Sequence, residues 1–123
     1  MKLGIVGSRQ RCFIEDGELL LGRIVELKPS MIISGGCLLG ADKFAEDFAK
    51  ELGIAITIYH PELEDGKKYS YFEIVKANYA RNKLIAVYSD HLIALVALDR
   101  KGGTENTIGY FKNTHQEEDL EIL

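Results

Sequence analysis

The sequence predicts an α/β domain built as a doubly wound, mainly parallel sheet of about five strands with helices on both faces. Three observations carry this expectation. Short apolar runs alternate with amphipathic stretches along the whole chain. The run Leu92–Leu98 is apolar without interruption, the pattern of a strand covered on both faces. Three predicted strands end in small or glycine-rich segments, as expected where right-handed crossovers gather the strand-to-helix loops at one end of the sheet.

The elements follow in order. Lys2–Val6 reads as the first strand, ending at Gly7. Glu15–Leu27 is a helix with Leu20, Ile24 and Leu27 on one face and Pro29 just past its end. Met31–Ile33 is the second strand, closed by Ser34, Gly35 and Gly36. Ala41–Leu52 is the clearest helix: Ala41, Phe44, Ala45, Phe48, Ala49 and Leu52 recur at helical spacing, and Gly53 stands where a left-handed cap belongs. Ile54–Tyr59 is the third strand, rich in β-branched residues. After a polar loop through Pro61 and Gly66, a helical pattern runs from about Tyr71 to Tyr88. Leu92–Leu98 is the fourth strand, Thr104–Lys112 a short helix, and Leu120–Leu123 a last, edge strand. Tyr69, Tyr71 and Phe72 are expected in the core or in a lid, and not as a stacking platform.

Composition narrows the function classes. With 123 residues, 46% of them hydrophobic and 28% charged, the chain suits one globular domain, placed here at residues 1–123. The net charge of −4 argues against nucleic acid or an anionic membrane as partner, although Arg9 and Arg11 sit close enough to form a local basic patch. No apolar run is long enough to span a bilayer, and Leu3–Gly7 is too short for the core of a signal peptide. Cys12 and Cys37 have no CxxC spacing and are read as reduced thiols, so a cytoplasmic location is expected. His60, His91 and His115 are scattered without metal-ligand spacing, so neither a metal nor another cofactor is expected.

The chemistry is expected in three loops. The first strand leads into Gly7, Ser8 and Arg9. The second leads through Ser34, Gly35, Gly36 and Gly40 to Asp42. The fourth leads through Gly102 and Gly103 to Thr104. Glycines let backbone N–H groups approach an oxygen closely, and the helix N-terminus behind them adds partial positive charge. Ser8, Ser34 and Thr104 add hydroxyl donors, and the Arg9 guanidinium can grip a phosphate by two hydrogen bonds. Neither a Walker A loop nor GxGxxG is present, and each glycine taken alone also reads as a simple turn former. On the third helix, Asn78, Arg81 and Asn82 share the face of Ile74, Ile85 and Tyr88, where polar groups require partners from the protein or from a ligand. Asp42 is read as the N-cap of its helix, a role compatible with accepting hydrogen bonds from a ribose or from the glycine loop. Glu105 falls in the first turn of the last helix, where the dipole favours any acid.

These motifs together resemble the SLOG superfamily. They are Gly-Ser-Arg after strand one, Ser-Gly-Gly-x-x-x-Gly-Ala-Asp after strand two, Arg81-Asn82 in the third helix, and Gly103-Thr104 followed by Asn106, Thr107 and Ile108. Within that superfamily the chain is most similar to the small YspA-like branch, related to YpsA, over nearly its whole length. The resemblance implies a Rossmann-like sheet that binds or senses a nucleotide derivative or phosphosugar. Two related groups frame the alternatives. The LOG-type phosphoribohydrolases cleave the N-glycosidic bond of nucleoside 5′-monophosphates, using an arginine on the third helix and a glutamate after a Gly-Gly-x-Gly-Thr loop. By that likeness Arg81 and Glu105 are the candidate catalytic pair. Counted from Thr104, however, the family's glutamate falls at Asn106, so Glu105 is one residue early and about 100° round the helix. The DprA-type proteins share the second-loop motif and bind single-stranded DNA, which the acidic balance of this chain does not favour. A homodimer is the expectation by analogy with the LOG-type group.

Overall fold

The computed structural model describes all residues, 1–123, and its element order is the expected alternation. It contains β1 (Lys2–Gly7), α1 (Ile14–Leu27), β2 (Met31–Ser34), α2 (Ala41–Leu52) and β3 (Ala55–Ile58). These are followed by α3 (Tyr71–Tyr88), β4 (His91–Leu95), α4 (Gly103–Thr114), a short 3-10 turn (Glu117–Asp119) and β5 (Leu120–Ile122). The five strands form one sheet in the order β3-β2-β1-β4-β5, and every pairing is parallel. This is the Rossmann-like order, in which the chain reverses direction across the sheet between β1 and β4.

Two-residue alternation divides the core. Leu3 and Ile5 of β1, Ile32 of β2, and Ile93 and Leu95 of β4 point to one face, where they pack on Leu20 and Ile24 of α1 and Ala41, Ala45 and Ala49 of α2. Val6, Ile33, Leu92 and Ala94 point to the other, against Ile85 and Ala86 of α3 and Ile108 and Phe111 of α4. Each large aliphatic side chain so buried contributes about 1.5–3 kcal/mol. The alanine stripe of α2 lets that helix lie close to the sheet, while Phe44 and Phe48 stack at 6.0 Å along its flank. Gly7 serves the same close approach, because a Cβ there would lie 2.7 Å from the Ala41 Cβ and 2.9 Å from the Leu95 Cβ.

Some expectations required correction. The strand expected over Leu92–Leu98 starts at His91 and stops at Leu95. The chain turns beyond Ala97, whose carbonyl accepts from the Arg100 N–H at 3.1 Å, and Leu98 is fully exposed. Tyr71 and Phe72 are not in the core, being 77% and 83% exposed. Ile74 and Tyr88, assigned with Asn82 and Ile85 to an inward face, are 38% and 50% exposed. Arg11 forms no basic patch with Arg9. Its Nη1 donates to the carbonyls of Val96 (2.9 Å) and Leu123 (2.8 Å), and its Nε donates to Asp16 (2.8 Å). It therefore fastens the β1–α1 loop to the end of β5. The middle of β5 is held by Glu121, which accepts from Arg23 at 2.6 Å and lies 2.6 Å from His91 Nε2.

Replacing Arg11 removes the side-chain donor of the Val96 carbonyl and one of two donors each from the Leu123 carbonyl and the Asp16 carboxylate, which keep the N–H groups of Val96 and Phe13. Arg11→Ala is therefore expected to lower the unfolding free energy by about 1.5–3 kcal/mol, the range for hydrogen bonds to charged groups. The measurement is a shift in urea midpoint at unchanged m-value; an unmoved midpoint would show that the clamp is dispensable.

Candidate functional site

A cavity of about 600 Å³ opens at the carboxyl ends of β1, β2 and β4, at the point where the chain reverses across the sheet. Its volume lies in the range of small-molecule sites. The three predicted loops and one face of α3 form its walls. Gly7, Ser8 and Arg9 come from the first loop, Gly35 and Asp42 from the second, Asn78, Arg81 and Asn82 from α3, and Gly102, Gly103 and Thr104 from the third.

Four predicted site residues lie elsewhere. Ser34 is fully buried at the end of β2; its hydroxyl makes no regular hydrogen bond but lies near enough to Asp42 to favour its ionised form. Gly36 and Gly40 shape the second loop from behind. Gly40 has φ 76°, and a Cβ on it would meet the Ser8 carbonyl at 2.7 Å, so it lets the first two loops lie against each other. Glu105 is held outside the cavity by Arg100, whose Nε and Nη2 each donate to its carboxylate at 2.9 Å.

Arg81 joins the walls. Its Nη1 donates to the Gly35 carbonyl at 2.6 Å and reaches the Tyr59 carbonyl at 3.5 Å, and its Nε donates to Asn82 Oδ1 at 2.8 Å. Asn82 Nδ2 in turn donates to Asn106 Oδ1 at 3.1 Å and to the Gly103 carbonyl at 3.3 Å. One hydrogen-bonded chain thus runs from the second loop through α3 to the third loop. Nη2 of Arg81 is the guanidinium nitrogen with no partner in the protein, which leaves it for a ligand. The first turn of α4 adds donors. The helix starts after Gly102 (φ 108°) with no side-chain cap, so the N–H groups of Gly103, Thr104 and Glu105 have no intrahelical acceptor.

Asp42 is not the N-cap of α2, a position held by Gly40. Its Oδ2 accepts the Cys37 N–H at 2.9 Å instead, so the carboxylate draws the second loop closed from within the helix. Burial raises its proton affinity, opposed by the Cys37 N–H, the Arg81 charge, the Ser34 hydroxyl and the Gly35 N–H. Burial lowers the pKa of Arg81, with Asp42 opposing and the nearby Arg9 reinforcing that shift. No direct ion pair joins Asp42 to Arg81. Both crowd Gly35, where a Cβ would lie 2.9 Å from Arg81 Nη1 and 3.1 Å from Asp42 Oδ2.

Sequence reasoning missed several lining residues, among them Gln10, Cys37, Lys101 and Thr107. Lys101 and Cys37 are adjacent to predicted glycines, and adjacency was the available signal. Thr107 lies one turn after Gly103 and donates its hydroxyl to that carbonyl at 3.3 Å, so its placement follows only from the helix start. Tyr71 and Tyr79 of α3 also line the cavity.

Two measurements check this geometry. Gly35→Ala should cost about 1–3 kcal/mol of stability through overpacking. Gly109→Ala, a helical site where a Cβ meets nothing within 4 Å, should be neutral or stabilise by up to about 1 kcal/mol. Equal effects at both sites would remove the steric argument. For Asp42, a folded pKa above the unfolded value adds stability at low pH that is lost as pH rises through the folded pKa. The stability of the wild type relative to Asp42→Asn should therefore fall as pH rises from below the ordinary aspartate range, then level off. A difference that grows with pH would mean that the charged form is the one the fold favours.

No family model matches the chain, and no curated protein matches it. Among solved structures, the fold is similar to that of DNA processing protein A (DprA) from Streptococcus pneumoniae, determined by X-ray crystallography, with a TM-score of 0.65 and 18% sequence identity. The likeness covers 98% of this chain and 48% of that one, so the chain spans about half the length of the DprA structure. The Rossmann-like arrangement of five parallel strands and four helices is thus a DprA-like fold.

Proposed function

We propose that the chain, as a single domain over residues 1–123, belongs to the YspA-like branch of the SLOG superfamily and binds a nucleotide derivative or phosphosugar by its phosphate. The observation that carries this reading is the free edge of Arg81, fixed by three protein acceptors and set in the same cavity as the uncapped first turn of α4. Arg9 and Lys101 also line that cavity, against the single carboxylate of Asp42. In a chain whose net charge is −4, this local excess of positive charge supports an anionic ligand. Backbone donors at a helix start together with a guanidinium suit phosphate oxygens. Asn78 and Thr104 supply neutral groups for sugar hydroxyls.

The arrangement supports binding over N-glycosidic cleavage. An oxocarbenium-like transition state calls for a carboxylate beside the anomeric carbon. Glu105 is held by Arg100 away from the cavity, and Asp42 is engaged by the loop it closes. DprA is named for DNA processing. The acidic balance of the present chain favours a small molecule over nucleic acid. A homodimer remains the expectation of the resemblance, supported by the exposed Leu84, Val87 and Tyr88 on α3.

Titration calorimetry with nucleoside 5′-monophosphates and ribose 5-phosphate tests the proposal. Arg81→Ala should weaken binding by roughly 1.5–3 kcal/mol. The exposed Arg9→Ala should weaken it less and leave stability unchanged, which separates lost contact from lost fold. Glu105→Gln should leave affinity intact, and no free base should be released above background. Base release that disappears in Glu105→Gln would establish the phosphoribohydrolase instead.

A further inference from the structure

The cavity has two chemically distinct ends, and the second one specifies more than a phosphate. Polar groups crowd the end formed by the three loops with Arg81 and Asn82. Towards the N-terminus of α3 the lining changes to Tyr71, Val75 and Tyr79, which share the cavity face of the helix at i, i+4 and i+8 spacing. At 1.5 Å per residue, Tyr79 stands about 5 Å and Tyr71 about 16 Å along the helix axis from Asn82. Both rings therefore line the same cavity as Arg81, on the side of the α3 N-terminus.

These tyrosines have no structural employment that explains them. Tyr71 is 77% exposed and Tyr79 is 45% exposed, and neither phenol hydroxyl makes a hydrogen bond within the chain. Tyr69 differs, since its hydroxyl accepts the Glu64 N–H at 2.9 Å and so belongs to the preceding loop. The position of Tyr71 is nonetheless fixed. It is the first residue of α3, directly after Ser70, whose hydroxyl accepts the Glu73 N–H at 3.2 Å while Glu73 accepts the Ser70 N–H at 3.0 Å. Its ring also meets the Phe72 ring edge-on at 6.2 Å. A solvent-facing aromatic ring on the wall of a polar cavity, carried by a fixed backbone position, matches a planar, π-bearing ligand group.

We propose that Tyr71, seconded by Tyr79, is a stacking subsite for a heteroaromatic base. The ligand class is then a nucleoside phosphate and not a phosphosugar without a base. This rests on the phosphate-binding reading of the loop end and adds the recognition of the other half of the molecule.

The test is equilibrium titration of the wild type, Tyr71→Ala, Tyr71→Phe and Tyr79→Ala with three probes: nucleoside 5′-monophosphates, ribose 5-phosphate and the unphosphorylated nucleosides. The wild type should bind at least one monophosphate roughly tenfold or more tightly than ribose 5-phosphate. Tyr71→Ala should erase that advantage while leaving ribose 5-phosphate affinity as it was; Tyr71→Phe should retain it, and Tyr79→Ala should reduce it. Equal wild-type affinities for ribose 5-phosphate and the monophosphates would overturn the subsite, as would a Tyr71→Ala loss shared by both probes. Nucleosides that bind as tightly as their monophosphates, and are lost in Tyr71→Ala, would uphold the base subsite and refute the phosphate site. No binding of any probe would refute both.

Discussion

The geometry of the cavity depends on one half-buried guanidinium. Three elements that are distant in sequence meet at Arg81: the loop after β2 through the Gly35 carbonyl, α3 itself, and through Asn82 the start of α4. A charged group partly removed from water has to be repaid with hydrogen bonds, and here the acceptors are two main-chain carbonyls just past β2 and β3 and the Asn82 side chain. The constraint works in both directions. The carbonyls hold the guanidinium at one orientation, and the guanidinium holds the loops at one separation. The absence of a side chain at Gly35 completes it, since the guanidinium and the Asp42 carboxylate both crowd the space a Cβ there would take. Asp42 then closes its own loop through Cys37 in place of a direct pairing with Arg81.

Most of the fold was legible because the sheet is parallel and covered on both faces. Strands of that kind read as apolar runs, and α2 and α3 were placed at their observed limits by periodicity and by signals such as Gly53, whose φ of 67° is the left-handed cap expected of it. The fourth strand was overextended because Val96, Ala97 and Leu98 are as apolar as the strand before them. Only the turn at Ala97 and the exposure of Leu98 separate them, and neither leaves a trace in residue type. The low contrast between the faces of α3 had the same effect on Ile74 and Tyr88.

The candidate site was legible in its glycines and in Arg81, because small loops at the ends of parallel strands converge by topology alone. It was less legible where one residue type has several uses. Arg9 and Arg11 are alike in sequence, yet one lines the cavity while the other is consumed by Val96, Leu123 and Asp16. Asp42 has the residue type and approximate position of a cap, and its actual partner is five residues upstream. Glu105 answers to Arg100, a residue with φ 54° whose side-chain direction no periodicity predicts. Tyr71 was open to a place in the core or in a lid, and its exposure at the first position of a capped helix removes the core.

The strand order has a consequence for the chain as it is made. β1 is the first strand synthesised and ends in the middle of the sheet, paired on one side with β2 and on the other with β4. The first partner arrives within about thirty residues, the second only after His91 has been added. Through that interval the Leu3–Gly7 backbone presents an open, apolar edge of the kind that recruits strands from other chains. From completion of β2 to emergence of β4, the nascent chain therefore carries one strand edge open to misassembly.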